Sequence, residues 1–117
     1  MRTRIAIFDD NKNIRNSIIL LLKTDPSFEV VGSYGNALNC VEKVLLSKPD
    51  VILMDIEIPE IDTIKQLKRE LPEIHILIQT VFEDEERILE LITAGASGYI
   101  LKSSLNQRLR NLIFSLK

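Results

Sequence analysis

The chain has 117 residues, one domain's worth and enough to bury a core. Apolar residues make up 45% and charged residues 27%, with a formal net charge of −2, so the basic excess of a nucleic-acid-binding domain is missing. A single cysteine, Cys40, excludes an internal disulfide and a thiolate metal cluster, and the longest unbroken apolar run, residues 18–22, is far too short to span a bilayer.

Residues 5–8 form the first strand-like apolar run and lead into Asp9 and Asp10. The run lacks the longer apolar region and small-residue cleavage site of a signal peptide, so a cytoplasmic location is expected. Ile14, Ile18, Leu21 and Leu22 then recur at helical spacing. Residues 28–31 are the second and weakest strand pattern, followed by Gly32, Ser33 and Tyr34. Ala37, Val41, Val44 and Leu45 repeat the helical spacing, with Cys40 expected half-buried among them. Residues 51–54 are a third apolar run and end at Asp55. Ile61, Ile64, Leu67 and Leu71 mark a third helix. Residues 74–78 form the fourth run, followed by Gln79 and Thr80; His75, at its start, reads as structural or solvated. Glu83 to Glu86 put four acids at the start of a fourth helix carrying Ile88, Leu91 and Ile92, where the helix dipole favours negative charge. Residues 99–101 are the fifth and shortest run, ending at Lys102. Ser104 and Gln107 have capping-box spacing for a last helix, striped by Leu105, Leu109, Leu112, Ile113 and Leu116. Pro26, Pro49 and Pro72 fall between elements, where proline is tolerated.

Most of the strand runs are apolar at successive positions, the pattern of parallel strands covered on both faces. Five β-α units in this length predict an α/β fold with one five-stranded parallel sheet, helices on both faces and the flavodoxin-like order 2-1-3-4-5. Ligand sites in such sheets lie beyond the carboxyl ends of the strands. Strands one, three, four and five end there in Asp9 and Asp10, Asp55, Thr80 and Lys102.

This gathers three carboxylates, a hydroxyl and an ammonium. Two carboxylates a few ångströms apart repel by ~4 kcal/mol at a protein-like effective dielectric. Lys102 supplies one compensating charge and a divalent cation two more. Hard oxygen donors without His or Cys point to Mg²⁺, and the chemistry that suits this set is phosphoryl transfer to a carboxylate. The plain alternative for Asp9, Asp10 or Asn11 is capping of the first helix, which does not require two acids together with Asp55.

Along essentially its whole length the sequence resembles the receiver domain of two-component response regulators. The resemblance rests on Phe8-Asp9-Asp10, Met54-Asp55-Ile56 with Pro59 four residues after Asp55, Thr80, and Gly98-Tyr99-Ile100-Leu101-Lys102. It implies that Asp55 is the phosphoacceptor and that Asp10 ligates Mg²⁺ directly. Asp9 would assist, often through water, and Asp55 and the Glu57 backbone carbonyl would complete the protein ligands. Lys102 would pair with a phosphoryl oxygen, and Thr80 and Tyr99 would be the switch residues. The implied partners are a sensor histidine kinase, an output domain outside this chain and a second copy in a homodimer, with no direct nucleic-acid or membrane contact. Residues 80–85 and 94–102 look most like receivers attached to LuxR-type helix-turn-helix output domains. Residues 1–117 therefore read as one receiver domain excised from a longer regulator, with a stand-alone receiver as the alternative.

The chain departs from the family pattern at Thr63, where many members have Gly, and at Ser103, where many have Pro. Phe82, two residues after Thr80, and Glu57 match positions that influence how water reaches the phosphoryl group. Two rival readings remain: a phosphorylation-independent binding module, and an Mg²⁺-dependent phosphatase with an aspartate nucleophile and Glu57 as second acid. Ile18 to Leu22 exceeds what one helix face buries, and Phe114 lies off the last stripe; both fit either partial burial or a partner surface.

Overall fold

The computed structural model describes residues 2–116. Its elements are β1 (Thr3–Phe8), α1 (Lys12–Lys23), β2 (Phe28–Tyr34), α2 (Cys40–Ser47), β3 (Val51–Asp55), α3 (Ile61–Glu70), β4 (His75–Thr80), α4 (Glu85–Ala94), β5 (Gly98–Leu101) and α5 (Gln107–Leu116). A single 3₁₀ turn, Lys102–Ser104, separates β5 from α5. The strands form one sheet in the order β2-β1-β3-β4-β5, all neighbours parallel, as the five β-α units predict.

Alternation along each strand sends side chains to two separate cores. Ala6, Phe8, Ile52, Met54, Ile76 and Ile78 pack under α2, α3 and α4, which supply Cys40, Val44, Ile64, Leu67, Ile88 and Leu91. Ile5, Ile7, Val51, Leu53, Leu77 and Ile100 pack under α1 and α5, which supply Ile18, Leu22, Leu109 and Ile113. All five residues of β3 are buried, because this central strand is covered on both faces.

Several local expectations change. Helix α2 begins at Cys40, so Ala37 lies in the preceding turn and the buried pair is Cys40 and Val44; Cys40 is buried, not half-buried, and burial pushes its thiol up to about 11. Asn106, not Ser104, accepts the first-turn amide of α5: Arg108 N donates to Asn106 Oδ1 at 3.0 Å, while Ser104 closes the 3₁₀ turn. Of the four acids around the start of α4, Asp84 is the cap, accepting from Arg87 N at 3.1 Å, and Glu85 and Glu86 fill the first turn. Thr63 sits in the first turn of α3 with helical neighbours and no positive φ, so glycine is not required there. Gly95, at φ +135, ends α4 in a conformation that L side chains rarely adopt. Among the described residues every peptide is trans, including Lys102–Ser103.

In the run at residues 18–22, Ile18 and Leu22 are buried and Leu20 is exposed. Phe114 is partly exposed but its ring lies 5.2 Å from that of Phe28, so it packs across the α5 edge.

Candidate functional site

The carboxyl ends of β1, β3 and β5 converge. Asp9 follows β1, Asp55 closes β3, and Lys102 follows β5, and all three continue the face that carries Ile7, Leu53 and Ile100. Lys102 Nζ lies 2.8 Å from Asp9 Oδ2 and 3.1 Å from Asp55 Oδ1, reaching across β4 to do so. One oxygen from each of Asp9, Asp10 and Asp55 lies within 4.8 Å of the other two. Asp9 and Asp55 are buried and Asp10 is exposed at the rim.

The capping alternative does not account for these acids. Asn11 caps α1, its side-chain oxygen accepting from Asn13 N at 2.9 Å and Ile14 N at 3.2 Å. Asp9 Oδ1 accepts from Asn11 N at 2.8 Å, which fixes the β1–α1 turn and leaves Oδ2 to Lys102. Arg15 Nη1 donates to the Asp9 carbonyl at 2.6 Å and holds the same turn from α1.

Burial pushes the Asp55 carboxyl above its ordinary range; Lys102 opposes this, and Asp9 and Asp10 add to it. Burial pulls the Lys102 ammonium down, but its bonds to Asp9 and Asp55 outweigh burial and hold it above its ordinary value. Three carboxylates with only the Lys102 ammonium in contact leave negative charge that this one ion-pair partner does not balance. Oxygen donors, short separations and that excess of carboxylate fit a divalent cation of the Mg²⁺ type.

A cavity of about 320 Å³ opens above Asp55 and is walled by Glu57, Thr80, Phe82, Arg87 and Lys102. Thr80 is buried, and its hydroxyl donates to the Phe82 carbonyl at 2.8 Å. Tyr99 does not enter this cavity. It is 37% exposed, and its hydroxyl donates to Glu83 Oε1 at 3.2 Å beside a separate groove lined by Arg108 and Asn111. The Glu83 carboxylate holds the Tyr99 phenol above its ordinary range. His75, at the far end of β4, contacts Ser97 Oγ at 3.3 Å.

The family model for the response regulator receiver domain matches residues 5–114. The chain belongs to the response regulator receiver family. It is 32% identical over 102 residues to the DNA-binding transcriptional activator DevR/DosR of Mycobacterium tuberculosis, covering 85% of this chain and 47% of that protein. It is 33% identical over 110 residues to the oxygen regulatory protein NreC of Staphylococcus epidermidis, covering 91% and 50%. The receiver thus spans about half the length of these curated relatives. Among solved structures, a LuxR-family response regulator from Aurantimonas superposes with a TM-score of 0.86 at 25% identity, covering 99% of this chain and 86% of that one. The receiver domain of NarL from Mycobacterium tuberculosis gives 0.86 at 19% identity, covering 98% and 96%, a likeness of fold. Relatives of the receiver are LuxR-family regulators, as residues 80–85 and 94–102 led us to expect.

The sequence reading assigned no site role to two residues of the receiver site. Gln79, between Asp55 and Ile100 in the sheet, is fully buried, and neither carboxamide atom has a partner among the described residues. Arg87 reaches from α4 to the Pro59 carbonyl at 2.6 Å. A polar residue next to Thr80 was visible in the sequence, but its isolation was not.

Proposed function

We propose that this receiver is a phosphorylatable switch that takes a phosphoryl group onto Asp55, together with Mg²⁺, and changes the face it offers its partners. The observation that carries the reading is Lys102 bridging Asp9 and Asp55 at 2.8 and 3.1 Å beneath an open cavity. One Asp55 oxygen is fixed by Lys102 and the carboxylate faces the cavity that a donor must enter.

An Asp55 oxygen forms a bond to phosphorus, and the bond between phosphorus and the donor breaks with its electron pair on the leaving group. The donor is a phosphohistidine of a sensor kinase or a small acyl phosphate. Lys102 pairs with the charge on the transferring group. Asp10, Asp55 and the Glu57 carbonyl would hold Mg²⁺, with Asp9 supporting it. Mg²⁺, when bound, neutralises phosphoryl oxygens. Thr80 exchanges its bond to the Phe82 carbonyl for a phosphoryl oxygen, which frees the loop after β4. Tyr99 then leaves Glu83, and the faces around α4, β5 and α5 shift between two populations.

The readout is a change in dimerisation or in contact with an output domain, which a relative named as a DNA-binding transcriptional activator suggests is DNA-binding. A sensor-kinase donor places the working compartment of this switch in the cytoplasm; separately, no described helix is long and apolar enough to cross a membrane. The domain modifies itself and turns over no external substrate. Borohydride reduction of the acyl phosphate followed by peptide mapping tests the assignment: homoserine is expected at position 55, and its appearance at position 9 or 10 would reject Asp55 as acceptor.

A further inference from the structure

The cavity above Asp55 carries a second cation that none of these roles uses. Arg87 is the third residue of α4, and its backbone N–H is fixed by Asp84 Oδ1 at 3.1 Å. Its Nη2 donates to the carbonyl of Pro59, four residues after Asp55, at 2.6 Å. Its Nη1 lies 3.7 Å from Glu90 Oε2, one turn along the helix. The guanidinium therefore spans from α4 to the β3–α3 loop and walls the cavity together with Glu57, Thr80 and Phe82.

Lys102 is committed to Asp9 and Asp55 on the floor. Displacement at phosphorus runs roughly in line, so the leaving group departs on the side away from the Asp55 oxygen, toward the outer wall. Arg87 is the cation of that wall. A guanidinium carries five N–H donors in a fixed fork that matches a carboxylate. One is spent on Pro59 and one faces Glu90 at long range.

We propose that Arg87 is a specificity-determining residue that binds the leaving carboxylate of a small acyl phosphate. The inference rests on Asp55 being the phosphoacceptor. With acetyl phosphate, the Asp55 oxygen bonds to phosphorus, the anhydride P–O bond breaks, and the electron pair leaves on acetate, which needs no proton. Arg87 meets a charge that grows as that bond breaks, so it favours the transition state over the ground state. With phosphoramidate, the P–N bond breaks and the protonated nitrogen leaves as neutral ammonia. Arg87 gains nothing from that departure.

The test is the second-order rate constant for phosphorylation by each donor, with Mg²⁺ present, in the native protein, Arg87→Gln and Arg87→Lys. Intact mass follows the reaction and a thermal melt of each variant confirms folding. Arg87→Gln is expected to lose about tenfold with acetyl phosphate and less than about twofold with phosphoramidate, the scale of a charge-assisted hydrogen bond. Arg87→Lys, which keeps the charge without the fork, is expected to fall between, and it carries the test if Arg87→Gln does not fold. An equal fall with both donors would overturn the proposal and leave Arg87 a brace for the Pro59 loop. No fall with either donor would also overturn it. A native chain that takes phosphate from neither small donor would overturn the proposal, and failure with a phosphorylated kinase as well would defeat the Asp55 reading itself, a result distinct from altered donor preference.

Discussion

Replacing Gln79 by Met is expected to stabilise the protein. Gln79 lies in β4 between Asp55 and Ile100, is fully buried, and has no partner for its carboxamide oxygen or nitrogen among the described residues. A buried polar group left unpaired costs about 1–3 kcal/mol, and an apolar group of similar shape removes that cost. Methionine keeps the unbranched length and adapts to irregular space, so little overpacking follows. The expected gain is about 1–3 kcal/mol. Unfolding entropy is about 2.1 cal/mol/K per residue, so in a chain of 117 residues each kcal/mol moves Tm by about 4 °C. Thermal and urea melts of Gln79→Met in EDTA should therefore show Tm raised by about 4–12 °C with an unchanged m-value. An unchanged or lowered Tm would refute the reasoning and show that the carboxamide is satisfied, most simply by an internal water.

Asp10→Asn relieves like-charge repulsion at the exposed rim, so stability in EDTA should rise by up to about 1 kcal/mol. Mg²⁺ at ten times its Kd should stabilise the native chain by about 1.4 kcal/mol and the variant far less; equal Mg²⁺ responses would remove Asp10 from the metal site. Asp25 is held below its ordinary carboxyl value first by the Ser27 amide and also by Arg110, whose Nη2 lies 2.8 Å away. Its contribution is therefore present above the unfolded pKa of about 3.8 and lost as pH falls through the lower folded value. Urea melts of Asp25→Asn should show a deficit at pH 6 that closes toward pH 3, and a deficit constant with pH would contradict this. Phe82 is exposed at the cavity mouth, its carbonyl holding Thr80. Phe82→Ala should shorten the lifetime of the phosphorylated protein by opening the path for water, and an unchanged half-life would remove the ring from that role.

The sheet was legible because burial on both faces leaves a plain mark. Residues 51–54 must be apolar at every position once helices cover both sides, and the polar residue that ends such a run stands out as Asp55 does. Asp9, Thr80 and Lys102 were legible for the same reason, and the strand order then brought three of the four charged groups within ion-pair distance. Helix starts were less legible. The stripe from Ala37 and the capping-box spacing at Ser104 were real patterns, but Cys40 and Asn106 won because local backbone geometry, not periodicity, sets where the first turn begins. Gln79 could be seen as polar, yet its isolation depends on what covers it. Arg87 could not be singled out, since its role comes from a contact with Pro59, 28 residues away. Tyr99 matched the switch position in the sequence, and the structure adds that its hydroxyl bonds outward to Glu83.

The central claim is that Asp55 accepts a phosphoryl group. Its most direct test is the intact mass of the native protein and of Asp55→Ala after incubation with acetyl phosphate and Mg²⁺, each repeated in EDTA. The account predicts one added phosphoryl group on the native chain with Mg²⁺, lost in hydroxylamine, and none on the variant or in EDTA. Equal phosphorylation of the native chain and the variant, or none on either from acetyl phosphate or a phosphorylated kinase, would contradict it and favour a binding module whose acidic cluster only holds a cation.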